Sequence, residues 1–303
     1  MATDLTPNGG RVTITPGAPI HPAPGFLWLD LTRRCQLECS HCYNESGPDG
    51  GHGIMTHHDW LRTIDQAADT GARHVQLIGG EPTLHPDAIR IAEHALARGL
   101  SVEVYSNLVH VTPAWWALLR RSGMSLATSY YGSNPVQHNL MTGRKASHRH
   151  TRANIVRALE ANIPLRVAII TSDCTDVTQT RAELERLGVT HISIDRVRPY
   201  GRGARAQEPD CFGLCGACGD SRASVALNGE VSPCVFSTWM SVGNVLQEPL
   251  ADILAGPGMA QARARITAGR KDDEDDGHVF VPCSPDDNGC SPGVPPSKCP
   301  PRN

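Results

Sequence analysis

Six short apolar segments, each separated from the next by a helical stretch, occupy residues 26–197. They are Phe26–Leu31, His74–Ile78, Ser101–Ser106, Ser125–Tyr130, Leu165–Thr171 and His191–Val197. The first helix opens at Thr56, a capping residue, and runs to about Thr70 with Trp60, Leu61, Ile64, Ala67 and Ala68 on one face. Gly71 stops it. A second helix covers His85–Arg98 and ends at Gly99, and a third begins at Thr112-Pro113, cap then proline, and stops at Gly123. Stretches Ser147–Ala161 and Thr175–Leu187 complete the set. Strands separated by helices pair in parallel through right-handed crossovers. The expected fold is therefore α/β, a partial (β/α)6 barrel over residues 25–200, with any site at the C-terminal ends of its strands.

Directly after the first strand comes Cys35-Gln36-Leu37-Glu38-Cys39-Ser40-His41-Cys42. Three thiolates at this spacing can hold three irons of a [4Fe–4S] cube and leave the fourth iron open to a ligand. Structural zinc is the competing reading, but it takes four ligands and no fourth lies close by. Directly after the second strand comes Gly79-Gly80-Glu81-Pro82, a turn in which glycine lets the backbone approach a ligand and Glu81 offers an acceptor to an ammonium group.

The cysteine loop, the Gly-Gly-Glu-Pro turn and the strand–helix order together resemble the radical S-adenosylmethionine (SAM) enzymes. The resemblance implies that Cys35, Cys39 and Cys42 hold the cluster and that SAM chelates its open iron. It implies that Gly79, Gly80, Glu81 and Pro82 bind the SAM amino group. His41 takes the place, before the third cysteine, of a residue that packs near the adenine, and Tyr43 follows as it often does in that family. Ser106, Asn107 and Ser129 match strand-end positions that contact the ribose or carboxylate, and Arg144, after the fourth strand, is a candidate partner for the carboxylate. Each of these four also has a plainer reading as an ordinary polar residue. The implied chemistry is one-electron reduction of SAM to methionine and a 5′-deoxyadenosyl radical, which abstracts a hydrogen atom from substrate.

Seven of the eleven cysteines fall late in the chain, in residues 201–303, where Gly and Pro increase and the strand–helix order stops. Cys211, Cys215, Cys218 and Cys234 come first, and residues 224–234 read as a hairpin with an Asn228-Gly229 turn. Cys283, Cys290 and Cys299 follow after a gap. This pattern resembles the opening of a SPASM or twitch extension, which implies one or two auxiliary iron–sulfur clusters. Zinc remains an alternative for part of the set. A single helix is expected near Leu250–Ile266, and the charge run 271–277 reads as a solvated loop. Cys174, after the fifth strand, is either a small core residue or a hydrogen-atom donor of the kind a radical epimerase needs, with Cys211 as rival donor.

Residues 1–24, rich in Gly, Pro and Thr, read as a tail or strap. A net charge of −3 gives no electrostatic case for nucleic acid. No apolar run is long enough to span a membrane, and no signal peptide opens the chain, so a cytoplasmic enzyme is expected and disulfides are not. Two substrate classes follow from the resemblance: a ribosomally made precursor peptide, cross-linked or epimerised, or a small molecule in natural-product or cofactor assembly. A reductant such as flavodoxin or ferredoxin is implied as partner. A non-catalytic iron–sulfur or zinc protein is the remaining class.

Overall fold

The computed structural model describes residues 25–172 and 175–271. The expected N-terminal tail, Cys174, Cys283, Cys290, Cys299 and the charge run beyond Lys271 lie outside the described residues. Six parallel strands stand in chain order: β1 (Phe26–Asp30), β2 (His74–Ile78), β3 (Ser101–Tyr105), β4 (Met124–Tyr130), β5 (Leu165–Thr171) and β6 (His191–Arg196). The crossovers are α1 (His57–Asp69), α2 (Ala88–Ala97), α3 (Pro113–Leu119), α4 (Pro135–Thr142), α5 (Ser147–Glu160) and α6 (Val177–Arg186).

The local reasons are legible. Thr56 and Asp59 form a reciprocal capping box at α1, and Thr112 caps α3 ahead of Pro113. The second helix starts later than expected. Pro86 keeps His85 extended, and a 3-10 turn over Pro82–Leu84 takes up the start of the segment. The sequence reading placed no helix between β4 and residue 147, yet α4 is there. Asn134 caps it through Val136 N–H at 2.9 Å, again ahead of a proline.

Strand residues alternate between two environments. Leu27, Leu29, Val75, Leu77, Val102, Val104, Leu126, Val167 and Ile169 face the helices and pack with Trp60, Ile64, Ile91, Trp116 and Ile155. The intervening residues line one cavity that touches all six strands, so the sheet is concave on that side.

The sheet ends at β6 on one side but continues past β1 on the other. β7 (Arg222–Ala226) pairs in parallel with β1, in register from Phe26 against Arg222 to Asp30 against Ala226. The expected hairpin follows, with β8 (Glu230–Ser232) antiparallel to β7 around Asn228-Gly229, and β9 (Gly243–Asn244) adds to β8. Hence β1 is an interior strand, shared by the barrel and the later segment. The single helix expected near 250–266 is two, α7 (Leu250–Ala255) and α8 (Pro257–Lys271). Gly256 ends the first and Pro257 begins the second. Among the described residues no helix is long and apolar enough to cross a membrane.

Leu29 is fully buried in the middle of β1. Replacing it with alanine is expected to cost about 2–5 kcal/mol. Because β1 pairs with β2 and β7, urea unfolding should shift in a single transition for the barrel and residues 222–232 together, read by hydrogen exchange of both segments.

Candidate cluster and cofactor site

The cysteine loop leaves β1 through Leu31, whose N–H donates to the Ile78 carbonyl at 2.9 Å. From there the loop has almost no regular structure and is held by its surroundings. The Gly79-Gly80 turn stacks on it directly: Gly80 N–H donates to the Thr32 carbonyl at 2.6 Å and Glu81 N–H to the Arg34 carbonyl at 2.9 Å. A Cβ on Gly79 would sit 2.5 Å from the Thr32 oxygen and one on Gly80 2.5 Å from the Arg34 oxygen, and Gly79 has φ +139°. The two glycines therefore permit a close approach of backbone to backbone.

Cys35 is buried, Cys39 and Cys42 are partly exposed, and none forms a disulfide. All three line the cavity, together with His41, Tyr43, Gly79, Gly80, Ser106, Asn107 and Ser129. Its volume is about 420 Å³, within the range of small-molecule sites. Burial, then the nearby Glu81 carboxylate, pushes the Cys35 thiol up to about 12. Burial, then Cys42 and Cys35, pushes Cys39 up to about 12. Thiolates at these positions call for cationic partners, as iron supplies. Asn107 Nδ2 lies 3.6 Å from Cys35 Sγ, a donor suited to a thiolate. His41 Nδ1 is buried without a partner among the described residues, and burial holds the ring neutral with its pKa down to about 4. His41 as a whole borders the cavity, beside the three cysteines. Among the described residues no three His, Cys, Asp or Glu side chains converge as one metal ion would require. The donor set fits a cluster in which each thiolate takes its own iron.

Other expected residues sit differently. Glu81 is fully buried and does not line the cavity. Its carboxylate accepts from Asn107 N–H at 2.8 Å and from the Thr83 hydroxyl at 2.7 Å, so it fastens the turn to the end of β3. Pro82 is buried in the following 3-10 turn. Ser106 is buried and accepts from Leu108 N–H, while Ser129 shares a hydrogen bond with the Tyr105 hydroxyl at 3.0 Å. Arg144 is exposed at the end of α4, outside the cavity wall, and donates to the Gln36 carbonyl at 3.0 Å. It braces the loop from outside, since α4 ends against the loop's outer side.

Arg202 was missed by the sequence reading. Its N–H donates to the Cys42 carbonyl at 2.9 Å, its Nε to the Cys39 carbonyl at 2.8 Å and its Nη2 to the Ser46 carbonyl at 2.7 Å. A Cβ on the preceding Gly201 would collide with the Cys42 and Tyr43 carbonyls. The signal was available as Gly201-Arg202-Gly203 just after β6. Deeper in the cavity, Glu103 is paired with Arg166 through two bonds of 2.7 Å and also accepts from Gln76. Asp195, with its carboxyl pushed up to about 6 by burial, pairs with Arg198 at 3.1 Å.

Of the late cysteines, Cys215, Cys218 and Cys234 form a buried group. Cys215 and Cys218 sulfurs are 3.6 Å apart, and Cys218 hydrogen-bonds Cys234. Cys211 packs beside Gly269 and does not line the cavity. Val235 and Phe236, immediately after Cys234, do line it, and Phe236 meets Tyr43 edge-on with ring centroids 4.9 Å apart.

Residues 29–178 match the family model of the radical SAM superfamily, and residues 215–286 match that of an iron–sulfur cluster-binding domain, SPASM. The chain is 29% identical to the AdoMet-dependent heme synthase of Methanosarcina barkeri over 61% of its own length and 54% of that protein. It is 25% identical to the subtilosin biosynthesis protein AlbA of Bacillus subtilis over 82% of its length and 63% of that protein. A PqqA peptide cyclase of Ruegeria pomeroyi is 27% identical over 61% of this chain and 50% of that one. The chain thus spans about half to under two thirds of these relatives. The fold is similar to that of Streptococcus suis SuiB bound to S-adenosylmethionine, with TM-score 0.68 and 13% identity over 80% of this chain and 68% of that one.

Two outcomes are expected. Gly80→Ala should destabilise the chain by about 1–3 kcal/mol through overpacking on the Arg34 carbonyl, and should lower iron bound per chain after reconstitution. His138 on α4 is buried among Tyr130, Tyr131 and His148, and burial brings its pKa down to about 3. His148, which faces Glu183 and Arg152, is also lowered. The unfolded chain binds these protons below about pH 6.5 while the folded chain does not. Stability should fall as pH drops from 6.5 towards 3, and His138→Phe should reduce that slope in urea titrations.

Proposed function

We infer that this chain, a radical SAM protein with a SPASM-type iron–sulfur extension, is a peptide maturase that abstracts a hydrogen atom from a ribosomally made precursor. The observation that carries the chemistry is the joint position of Cys35, Cys39 and Cys42 and the Gly79-Gly80 turn on one cavity wall. When bound, the cluster and SAM supply the one-electron cleavage that yields the 5′-deoxyadenosyl radical. The chain's own residues position and shield. Cys35, Cys39 and Cys42 would hold the cluster, with Asn107 donating towards Cys35 and Arg202 fixing the loop carbonyls. His41, Ser106, Asn107 and Ser129 would border SAM. The Glu103–Arg166 pair shapes the cavity deep in the barrel. Asp195 and Arg198 stand beside Phe236, where polar groups of a substrate backbone can meet them. Cys215, Cys218 and Cys234 would hold an auxiliary cluster behind Phe236, close enough to the cavity to exchange an electron with product.

A peptide substrate is favoured by relatives named for subtilosin biosynthesis and PqqA cyclisation. A second reading, a radical step on a small molecule in cofactor assembly, is favoured by the similarity to a heme synthase. We take the enzyme to work in the cytoplasm.

The test is anaerobic reconstitution with SAM and dithionite. Wild type should release 5′-deoxyadenosine and Cys35→Ala none; equal release from both would overturn the assignment. Addition of a short peptide encoded beside the gene should give a product lacking two hydrogens for a cross-link, or an unchanged mass with an inverted centre for epimerisation. An unaltered peptide beside a turned-over small metabolite would select the second reading.

A further inference from the structure

The outer side of α4 is the least expected surface of the barrel. Val136 is 75% exposed and Leu140, one turn later, 78% exposed. One turn apart on a helix they adjoin, and contiguous exposed apolar surface is where contacts form. Around them the charge is one-sided. Arg144, Lys145 and Arg149 are exposed, and none is in an ion pair among the described residues. No Asp or Glu occurs between Glu103 and Glu160. Glu38, exposed on the loop beneath, and Asp176, exposed beside the Thr175 that accepts from Gln137 of α4, oppose them, and the three cations outnumber the two carboxylates.

This surface is wired to the cysteine loop, and to little else in the site. The last carbonyls of α4 take the loop: Glu38 N–H donates to Thr142 at 3.1 Å and Ser40 N–H to Met141 at 3.0 Å. From the inner side of α4, His138 packs on Tyr131 with ring centroids 5.2 Å apart, and the Tyr131 hydroxyl bonds the Cys39 sulfur. One helix, roughly 10 Å thick, thus separates the exposed patch from a cluster ligand. No residue of α4 or α5 lines the cavity. An occupant that delivers substrate gains nothing here, whereas one that delivers an electron does.

We propose that Val136, Leu140, Lys145 and Arg149 dock an acidic, low-potential one-electron carrier protein of the flavin or iron–sulfur class. The inference rests on the cluster assignment for Cys35, Cys39 and Cys42. In the step, the carrier is oxidised by one electron and the cluster is reduced by one, and no covalent bond forms at the interface. Complementary charge steers the encounter, and the apolar pair gives it a dry centre.

The test compares two reductants on the full reconstituted chain, reading 5′-deoxyadenosine. The variants are Lys145→Glu/Arg149→Glu and Leu140→Gln. All lie on the surface, and Glu at position 149 in the first turn of α5 suits the helix dipole. With dithionite, both variants should match wild type within about twofold. With a reduced acidic flavodoxin, the double variant should be at least about tenfold slower, the scale of electrostatic steering. Added salt should slow wild type and leave the double variant unchanged. Equal rates with flavodoxin would overturn the proposal, as would equal losses with both reductants, or a wild type that accepts dithionite but neither acidic flavodoxin nor ferredoxin. Loss of peptide modification under dithionite would give the face to the substrate instead. A wild type inactive with dithionite would count against the cluster assignment itself.

Discussion

A loop without secondary structure keeps a shape only if its backbone groups are bound from outside, and the cysteine loop is bound from several sides at once. Gly80 and Glu81 bond it from β2, the end of α4 from beside, and Arg202 from beyond β6. Gly47 and Gly51 close it on itself, through Cys35 N–H and Arg33 N–H at 2.9 Å each. Each partner belongs to a different stretch of chain, so the positions of three sulfurs depend on most of the barrel being folded. Preorganisation of this kind lets a site receive a cofactor without first ordering its ligands.

The same dependence explains the polar interior. A concave sheet that must admit a cofactor cannot fill its inner face with Leu and Val, so water-facing chemistry is built into the strands. Glu103 and Arg166 satisfy one another inside the sheet at 2.7 Å, and Arg166 also lies over the Tyr105 ring at 5.4 Å. Removing one member of such a pair leaves an unpaired buried charge, which costs far more than the pair contributes. Stability is supplied by the opposite face, where Trp60 and Trp116 are buried against the strands.

What could be read from sequence followed from period and punctuation. β2 and β5 were bounded correctly because alternating residues end at Gly79 and Thr171, and α1 because Thr56 and Gly71 mark its ends. α4 carried a cap-then-proline signal, Asn134-Pro135, like that of α3, but little apolar periodicity, since Val136 and Leu140 point to solvent and His138 points inward. The cysteine loop was legible as three thiols close in sequence at the end of a strand. Its supports were not: Arg202 lies about 160 positions from Cys39 in sequence, and no local pattern reveals so distant a backbone contact. Nor does any local pattern reveal that the Glu81 carboxylate accepts from Asn107 N–H, on the end of another strand, as well as from Thr83.

The pairing of β1 with β7 has a consequence for how the chain is made. Among the described strands β1 is the first to be synthesised, and it gains its second neighbour only once β7, which ends at Ala226, has been made. Until then one edge of Phe26–Asp30 stands open, with an apolar face behind it, which is a template for pairing with another chain. Such a long sequence separation slows folding. Ordering of the cysteine loop is thereby set in time: the loop that follows β1 is clamped on all sides only after residues far downstream have emerged, so its three sulfurs reach their places late in the life of the nascent protein.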